Sequence, residues 1–244
     1  MTSTKSILMI LATALLAWLA MPAARAQSYA FGVKGGPSLC FQRWGEGNRD
    51  VLWAHHATVF IESAPPISQG VIYAQAGYHV RGSALRFQAI NVNNIFLGQR
   101  TDEFRYNNLS VAVGFKKRYA TGIGVAYYLF GLRGDYTLNT NLKDYEEFVA
   151  NGLIYPTDAW VRKFNYGLSL GGGWEIPLGD YISGLIEISF HPDFSRQYDQ
   201  PSIPNVIDPF VPGTTRTIPD RRIVNYTGEI SFGLRFLREI EYID

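Results

Sequence analysis

The sequence predicts an all-β protein: an eight-stranded antiparallel up-and-down transmembrane β-barrel with short periplasmic turns and long extracellular loops. Large apolar residues alternate with glycine, serine and charged residues along eight segments of the chain. The connections between these segments are short and long in turn, as in outer-membrane barrels. After the N-terminal segment, no apolar stretch reaches the roughly 20 residues that a transmembrane helix needs.

The N-terminal segment has the features of a secretory signal peptide. Lys5 supplies a positive charge, residues 7–20 are almost wholly apolar, and residues 24–26 have the small-x-small pattern of a cleavage site. We predict cleavage between Ala26 and Gln27, which leaves one barrel domain over 27–244. An N-terminal membrane anchor is the alternative, and the short apolar run disfavours it.

The composition of the remaining chain excludes several classes of protein. Residues 1–26 contain Lys5 and Arg25 but no acidic residue, so their removal changes the formal charge from +1 to −1. A chain without a basic excess has no surface for nucleic acid. Cys40 is the single cysteine, so an internal disulfide is excluded. No motif for a cofactor is present.

The first four predicted strands follow the signal peptide, and a long gap separates the third from the fourth. In the first, Phe31 and Val33 share one face while Gly32 and Lys34 share the other. The second has the weakest alternation. The four strands cover about 28–43, 51–63, 71–82 and 106–119.

The last four predicted strands have clearer alternation. The fifth covers about 122–138, and the eighth covers about 222–237 with the most regular pattern. The sixth and seventh lie within 164–190, in "FNYGLSLGGGWEIPLGDYISGLIEISF", and are joined at 178–180. Bulky residues alternate there with glycine and serine. This pattern suits a sheet whose bulky face contacts lipid and whose small residues line a narrow lumen.

The predicted connections cover 44–50, 63–70, 83–105, 120–121, 139–159, 179–180 and 192–221. Ten strands are the alternative architecture, which would require 82–106 or 139–159 to enter the barrel. For 82–106 we expect a hairpin that extends the third and fourth strands above the membrane. This segment and the proline-rich 191–222 are the candidate binding loops.

Charged residues on the inward face carry both signs and can therefore pair. They are Lys34, Glu62, Arg81, Lys116, Arg133, Asp135, Glu175, Glu187, Glu229 and Arg235. Within them we predict a lumen ion-pair network of Lys34, Glu187, Glu229 and Arg235. Lys34 is expected within ion-pair reach of Glu229 or of Glu187, because the seventh, eighth and first strands are neighbours in a closed barrel.

Candidate catalytic and metal-binding residues are few. Glu187, Ser189 and His191 share one strand face, but same-face neighbours lie about 6.6–7 Å apart along a strand, which is poor geometry for a triad. His55 and His56 point to opposite faces and cannot bind one ion together. We therefore expect no enzyme and no cofactor or metal site.

Three segments carry a resemblance to small outer-membrane barrels of the PorT-like family, common in Bacteroidota. They are "YAFGVKGGPSL" (29–39), "YGLSLGGGWEIPL" (166–178) and "GEISFGLRF" (228–236). The resemblance implies location in the outer membrane, and some members of this family are linked to type 9 secretion.

The functional expectation is a structural or binding component of the outer membrane of a Gram-negative bacterium. It would contact outer-membrane lipids and display its loops or dock onto an envelope or secretion complex. A lipid-modifying enzyme and a narrow pore are the alternatives.

Overall fold

The structure is a computed structural model, and it describes residues 28–44, 49–64, 70–90, 96–145, 155–208, 211 and 213–239. The predicted signal peptide, 1–26, and its cleavage site between Ala26 and Gln27 lie outside the described residues. In the part of the chain that is described, no helix is long and apolar enough to cross a membrane.

Eight long antiparallel strands form a closed ring. Each pairs with its neighbour in the ring, and the eighth strand pairs with both the seventh and the first, which closes the sheet. Closure leaves no unpaired strand edge, as a membrane requires. The eight strands are β1 (Tyr29–Arg43), β2 (Leu52–Ser63), β3 (Gly70–Ile90), β4 (Phe96–Thr121), β5 (Gly124–Thr140), β6 (Phe164–Pro177), β7 (Ile182–Pro192) and β11 (Arg221–Arg238).

The two ends of the barrel differ in their connections. At the periplasmic end lie the β4–β5 and β6–β7 turns, the ends of β2 and β3 that flank their connection, the start of β1 and the end of β11. At the other, extracellular end lie the β1–β2, β3–β4, β5–β6 and β7–β11 connections. The predicted fold class is therefore confirmed, and the predicted short and long connections lie at opposite ends.

The outer surface is apolar because the large residues of each strand face outward. Phe115, Leu132 and Ile188 are each about two-thirds exposed, at 65%, 65% and 64%. Their sequence neighbours Lys116, Arg133 and Glu187 are at most 5% exposed. A surface this apolar around a polar interior is the reverse of a soluble protein, and it matches a barrel in lipid.

The ten-strand alternative is wrong, because the described ring has eight strands. Segment 82–106 extends β3 and β4 as a continuous antiparallel hairpin, with pairing from Gly82↔Arg105 to Ile90↔Phe96. The β5–β6 connection contributes two short 3-10 helices, Leu142–Tyr145 and Asp158–Trp160, and no described strand.

The β7–β11 connection contains three short strands above the membrane. β8 (Tyr198–Gln200) pairs with the first residues of β11, with Gln200 opposite Arg221. β9 (Ile203–Ile207) and β10 (Thr215–Ile218) pair only with each other. This connection is therefore a folded part of the extracellular end, with a separate two-stranded hairpin at its middle.

Candidate functional site: the lumen and the extracellular cap

The periplasmic half of the lumen holds an ion-pair network, here called the lower network. Lys34 Nζ donates to Glu187 Oε1 at 2.7 Å, and Tyr127 Oη donates to the other carboxylate oxygen at 2.9 Å. Lys116 Nζ lies between Glu62 and Glu175, at 3.0 and 2.5 Å. Every carboxylate here thus has a cationic partner, as a buried charge requires.

Two arginines complete the lower network. Arg118 donates to Glu175 at 2.7 Å, and Arg235 donates to Glu62 at 2.6 Å. A cavity of about 20 Å³ remains among these side chains and is lined by Tyr73, whose hydroxyl is buried. That volume admits about one water molecule, so the network fills the lumen rather than lining a channel.

Above the lower network, three histidines surround one carboxylate; this group is the histidine layer. His79 Nδ1 and His191 Nε2 lie 2.8 and 3.1 Å from the two oxygens of Glu229, and His56 Nε2 lies 3.8 Å from one of them. Serine and threonine hydroxyls bond the remaining ring nitrogens, for example Ser38 on His56 Nδ1 at 3.0 Å. Among the described residues, no group of histidine, cysteine and acidic side chains could hold a metal ion.

The extracellular half of the lumen contains a second ion-pair group, the upper network. Asp135 accepts from Arg81 at 2.5 Å and from Arg133 at 2.9 Å. Asp193 bonds Arg133 and also accepts from Asn225 at 3.0 Å. The two arginines and two aspartates balance each other.

Charge is balanced over the whole described lumen. Six basic side chains face six acidic ones. The basic set is Lys34, Arg81, Lys116, Arg118, Arg133 and Arg235, and the acidic set is Glu62, Asp135, Glu175, Glu187, Asp193 and Glu229. The lumen thus carries no fixed excess charge that would attract ions of one sign.

The sequence predicts one ion-pair network of Lys34, Glu187, Glu229 and Arg235. The structure places Lys34, Glu187 and Arg235 in the lower network and Glu229 in the histidine layer. Lys34 contacts Glu187, and Arg235 contacts Glu62. The alternative partner of Lys34, Glu229, lies in the histidine layer instead. The register explains the separation: Lys34 lies opposite Gly233 and Glu229 lies opposite Ser38, four residues or about 13 Å further along β1.

Three residues that make contacts inside the lumen are missing from the inward-facing charged residues that the sequence predicts. Arg118 continues the face of Lys116, so strict alternation along β4 would have found it. His56 continues the face of Thr58, in the strand whose pattern was weakest. Asp193 lies in the segment assigned to a loop, although the inward period of Glu187, Ser189 and His191 continues to it.

The arrangement contains the residue types of a hydrolase but not an accessible site. His191 Nδ1 lies 3.0 Å from Ser169 Oγ, and its Nε2 lies near Glu229. The predicted Glu187 does not take part, since it pairs with Lys34. Ser169, His191 and Glu229 are at most 4% exposed.

An apolar cluster closes the extracellular mouth; we call it the cap. It consists of Trp44, Phe104, Tyr106, Leu142, Tyr198 and Ile223, from five different segments of the chain. Trp44 Nε1 donates to Gln42 Oε1 at 3.2 Å, and Gln42 donates to Asn225 at 2.9 Å, which ties the cap to the upper network. The long loops are therefore anchored onto the barrel by packing and hydrogen bonds.

Burial and neighbouring charges shift the pKa values of titratable groups at the cap, as Arg49 and Tyr155 illustrate. The Arg49 guanidinium lies 3.8 Å from the centre of the Trp44 ring, and burial together with repulsion from Arg221 lowers its pKa to about 10. Tyr155 Oη donates to Asp102 at 2.6 Å, and burial together with this carboxylate raises the pKa of Tyr155 to about 12. Both groups keep their usual charge at neutral pH.

Cys40, the single cysteine, lies in the lumen and is buried. Its Sγ donates to the carbonyl of Val80 at 3.4 Å. This contact accounts for the residue as a small side chain in a crowded interior.

The chain matches no protein-family model and no curated protein. Its structure is similar to that of the outer-membrane protein OprG from Pseudomonas aeruginosa, with 11% identity and a TM-score of 0.49 over 86% of this chain and 97% of that one. It is also similar to Ail, the attachment invasion locus protein of Yersinia pestis, solved with the heparin analogue sucrose octasulfate. There the identity is 11% and the TM-score 0.40, over 87% of this chain and 100% of that one.

The chain's own geometry defines its class. A closed ring of eight antiparallel strands with an apolar exterior and a paired polar interior is an outer-membrane β-barrel of a Gram-negative bacterium.

Proposed function

We propose that this protein is a sealed, non-enzymatic barrel that anchors a folded extracellular surface for docking another protein of the cell envelope. The lumen supports this proposal most directly, because paired side chains fill it and the cavity in the lower network has room for about one water molecule. With the lumen filled and the exterior facing lipid, the long extracellular connections are the main surface available for recognition.

The cap adds a second argument for docking. Connections that serve only to join strands need no core of their own, but these contribute a buried cluster that includes Phe104 and Tyr198, both 0% exposed. A fixed loop surface loses less conformational entropy on binding than a mobile one. The PorT-like resemblance supports the same proposal and suggests a secretion complex as the partner.

A loop deletion tests this proposal without disturbing the barrel. Gln200 pairs with Arg221, so a two-residue Asn-Gly turn can join them and remove 201–220, including the β9–β10 hairpin. A partner that cross-links to the intact protein in native membranes should be lost from the deletion variant. The matched control replaces the periplasmic residues 179–180 with Asn-Gly and should keep the partner.

The experiment measures both folding of the barrel and recovery of the cross-linked partner. Heat-modifiable gel mobility shows whether each variant still forms a barrel. Equal recovery of the same partner by the deletion variant and by wild type would place recognition elsewhere and contradict docking through this connection.

A narrow pore is the first alternative, and the filled lumen argues against it. Single-channel recordings in planar bilayers should show no stable conductance for the wild-type barrel. A large, stable conductance would overturn the proposal of a sealed lumen.

A lipid-modifying enzyme is the second alternative, and its support is the contacts of His191 with Ser169, Ser189 and Glu229. We expect no deacylation of phospholipid or lipopolysaccharide by the purified barrel. Activity that disappears in His191→Ala, while a folded barrel remains, would establish the enzyme instead.

A further inference from the structure

A cleft opens on the outside of the barrel at its extracellular end. It has a volume of about 270 Å³ and lies between the end of β5 and the start of β6, beside the two 3-10 helices. Its lining includes Leu138, Asn139, Lys143, Asp158, Val161 and Lys163. The cleft combines apolar side chains with two lysines.

The cleft lies at the height of the lipid headgroups. Tyr136 and Phe164 are paired across β5 and β6, face outward and are 51% and 64% exposed. Such aromatic residues sit at the boundary between hydrocarbon and headgroups. Leu138 is the next outward residue of β5, about 7 Å higher, so the floor of the cleft begins where the acyl chains end.

The charges in the cleft favour an anion. Lys143 and Lys163 are both exposed and, within the described part of the chain, make no ion pair. Asp158 is the acidic side chain of the lining, and its carboxylate accepts a hydrogen bond from Thr140 Oγ1. In contrast, the lumen lysines Lys34 and Lys116 are both paired.

We propose that this cleft binds the phosphorylated headgroup of a glycolipid in the outer leaflet. The phosphate lies between the ammonium groups of Lys143 and Lys163, with Asn139 available to donate from its amide. The first acyl chain runs down over Leu138 and Tyr136. The apolar floor favours a lipid over a soluble phosphate, because a phosphate ion has no apolar group to contact it. The inference requires the outer-membrane location and is independent of docking to a protein partner.

Binding of purified lipid A to the detergent-solubilised barrel, followed by native mass spectrometry, tests the proposal. The diphosphoryl form should bind wild type at least about tenfold more tightly than the Lys143→Gln/Lys163→Gln variant, since each lysine contributes an independent attraction to an anionic lipid. Dephosphorylated lipid A should not distinguish the two proteins. Lys117→Gln, which removes one lysine charge at the periplasmic end of β4, is the control for charge outside the cleft and should bind within about twofold of wild type.

A second variant separates a lipid from free phosphate. Leu138→Asn should weaken binding of diphosphoryl lipid A, and millimolar inorganic phosphate should compete poorly with it. Equal lipid binding by wild type and the double lysine variant would overturn the proposal, as would effective competition by inorganic phosphate. Because both lysines are exposed, heat-modifiable mobility should show normal folding, and the outcome does not depend on the fate of the deletion of 201–220.

Discussion

Charged residues inside the barrel are stabilised by their partners, and the Lys34–Glu187 pair illustrates the energetics. Both side chains are largely withdrawn from water, at 8% and 5% exposure, and their ion-pair distance is 2.7 Å. Burial of the two charges costs hydration free energy, and their mutual attraction offsets that cost. A single substitution leaves the other buried charge without a partner. This lowers the stability of the barrel more than replacing both residues by apolar ones.

Lys34→Met should therefore destabilise the barrel strongly. Loss of the cation leaves Glu187 with the Tyr127 hydroxyl as its remaining close partner, and breaking a buried pair costs about 3–5 kcal/mol. Urea unfolding in lipid vesicles measures the change. The double variant Lys34→Met/Glu187→Leu should recover most of the loss. An unchanged unfolding midpoint for Lys34→Met would show that the pair contributes little.

Glycines of the β6 strand make the narrow lumen possible, which is a property of the element and not of single contacts. A Cβ placed on Gly173 would lie 2.2 Å from the carbonyl oxygen of Ile186 and 2.8 Å from Tyr127 Oη. Tyr127 is the residue that bonds Glu187, so crowding here also disturbs the lower network. Gly184 on the neighbouring strand faces outward, and its nearest neighbour would be a leucine methyl group at 3.6 Å.

Gly173→Ala should lower the stability of the folded barrel by about 1–3 kcal/mol, the usual effect of overpacking. Gly184→Ala is the control and should leave stability unchanged or slightly higher, since alanine restricts the unfolded chain more than glycine does. Both are compared by urea unfolding in the same vesicles. Equal effects of the two substitutions would contradict the proposed crowding of the lumen.

The sequence predicts the strand positions well, because the alternation that identifies a strand lies within the strand itself. The period of two identified β6 as 164–178 and the structure gives Phe164–Pro177. The hairpin expected over 82–106 is present as the extension of β3 and β4, although its alternation is weak because above the membrane no lipid enforces an apolar outer face. The described residues of 82–106 therefore mix apolar and charged side chains while still pairing, with one register shift between Ala89 and Ile90.

At the scale of the whole molecule, the bilayer acts as the solvent that decides which face is apolar. Leu132 lies midway along β5 and Leu178 lies at the periplasmic turn, and both are 65% exposed. Equal exposure does not mean equal surroundings, because hydrocarbon is present only around the middle of the strand.

Leu132→Arg should destabilise the barrel by about 2–4 kcal/mol, while Leu178→Arg should change stability by about 0–1 kcal/mol. The difference arises because arginine at the bilayer centre loses its hydration, whereas at the periplasmic rim it remains in contact with water. Urea titration of the protein in phosphatidylcholine vesicles reports both values. A larger loss for Leu178→Arg than for Leu132→Arg would place the membrane at a different height on the barrel.

The sequence by itself favoured eight barrel strands and determined most of the residues that face inward and the common end of the long loops. These properties follow from alternation and segment length, which are local. Only the tertiary structure decided which charges meet. Lys34, Glu187 and Glu229 come from β1, β7 and β11, and a shift of one pleat moves a side chain by about 7 Å, more than the reach of an ion pair. The pairing of Lys34 with Glu187, the three histidines around Glu229 and the cap over the mouth therefore depend on the closure and register of the whole sheet.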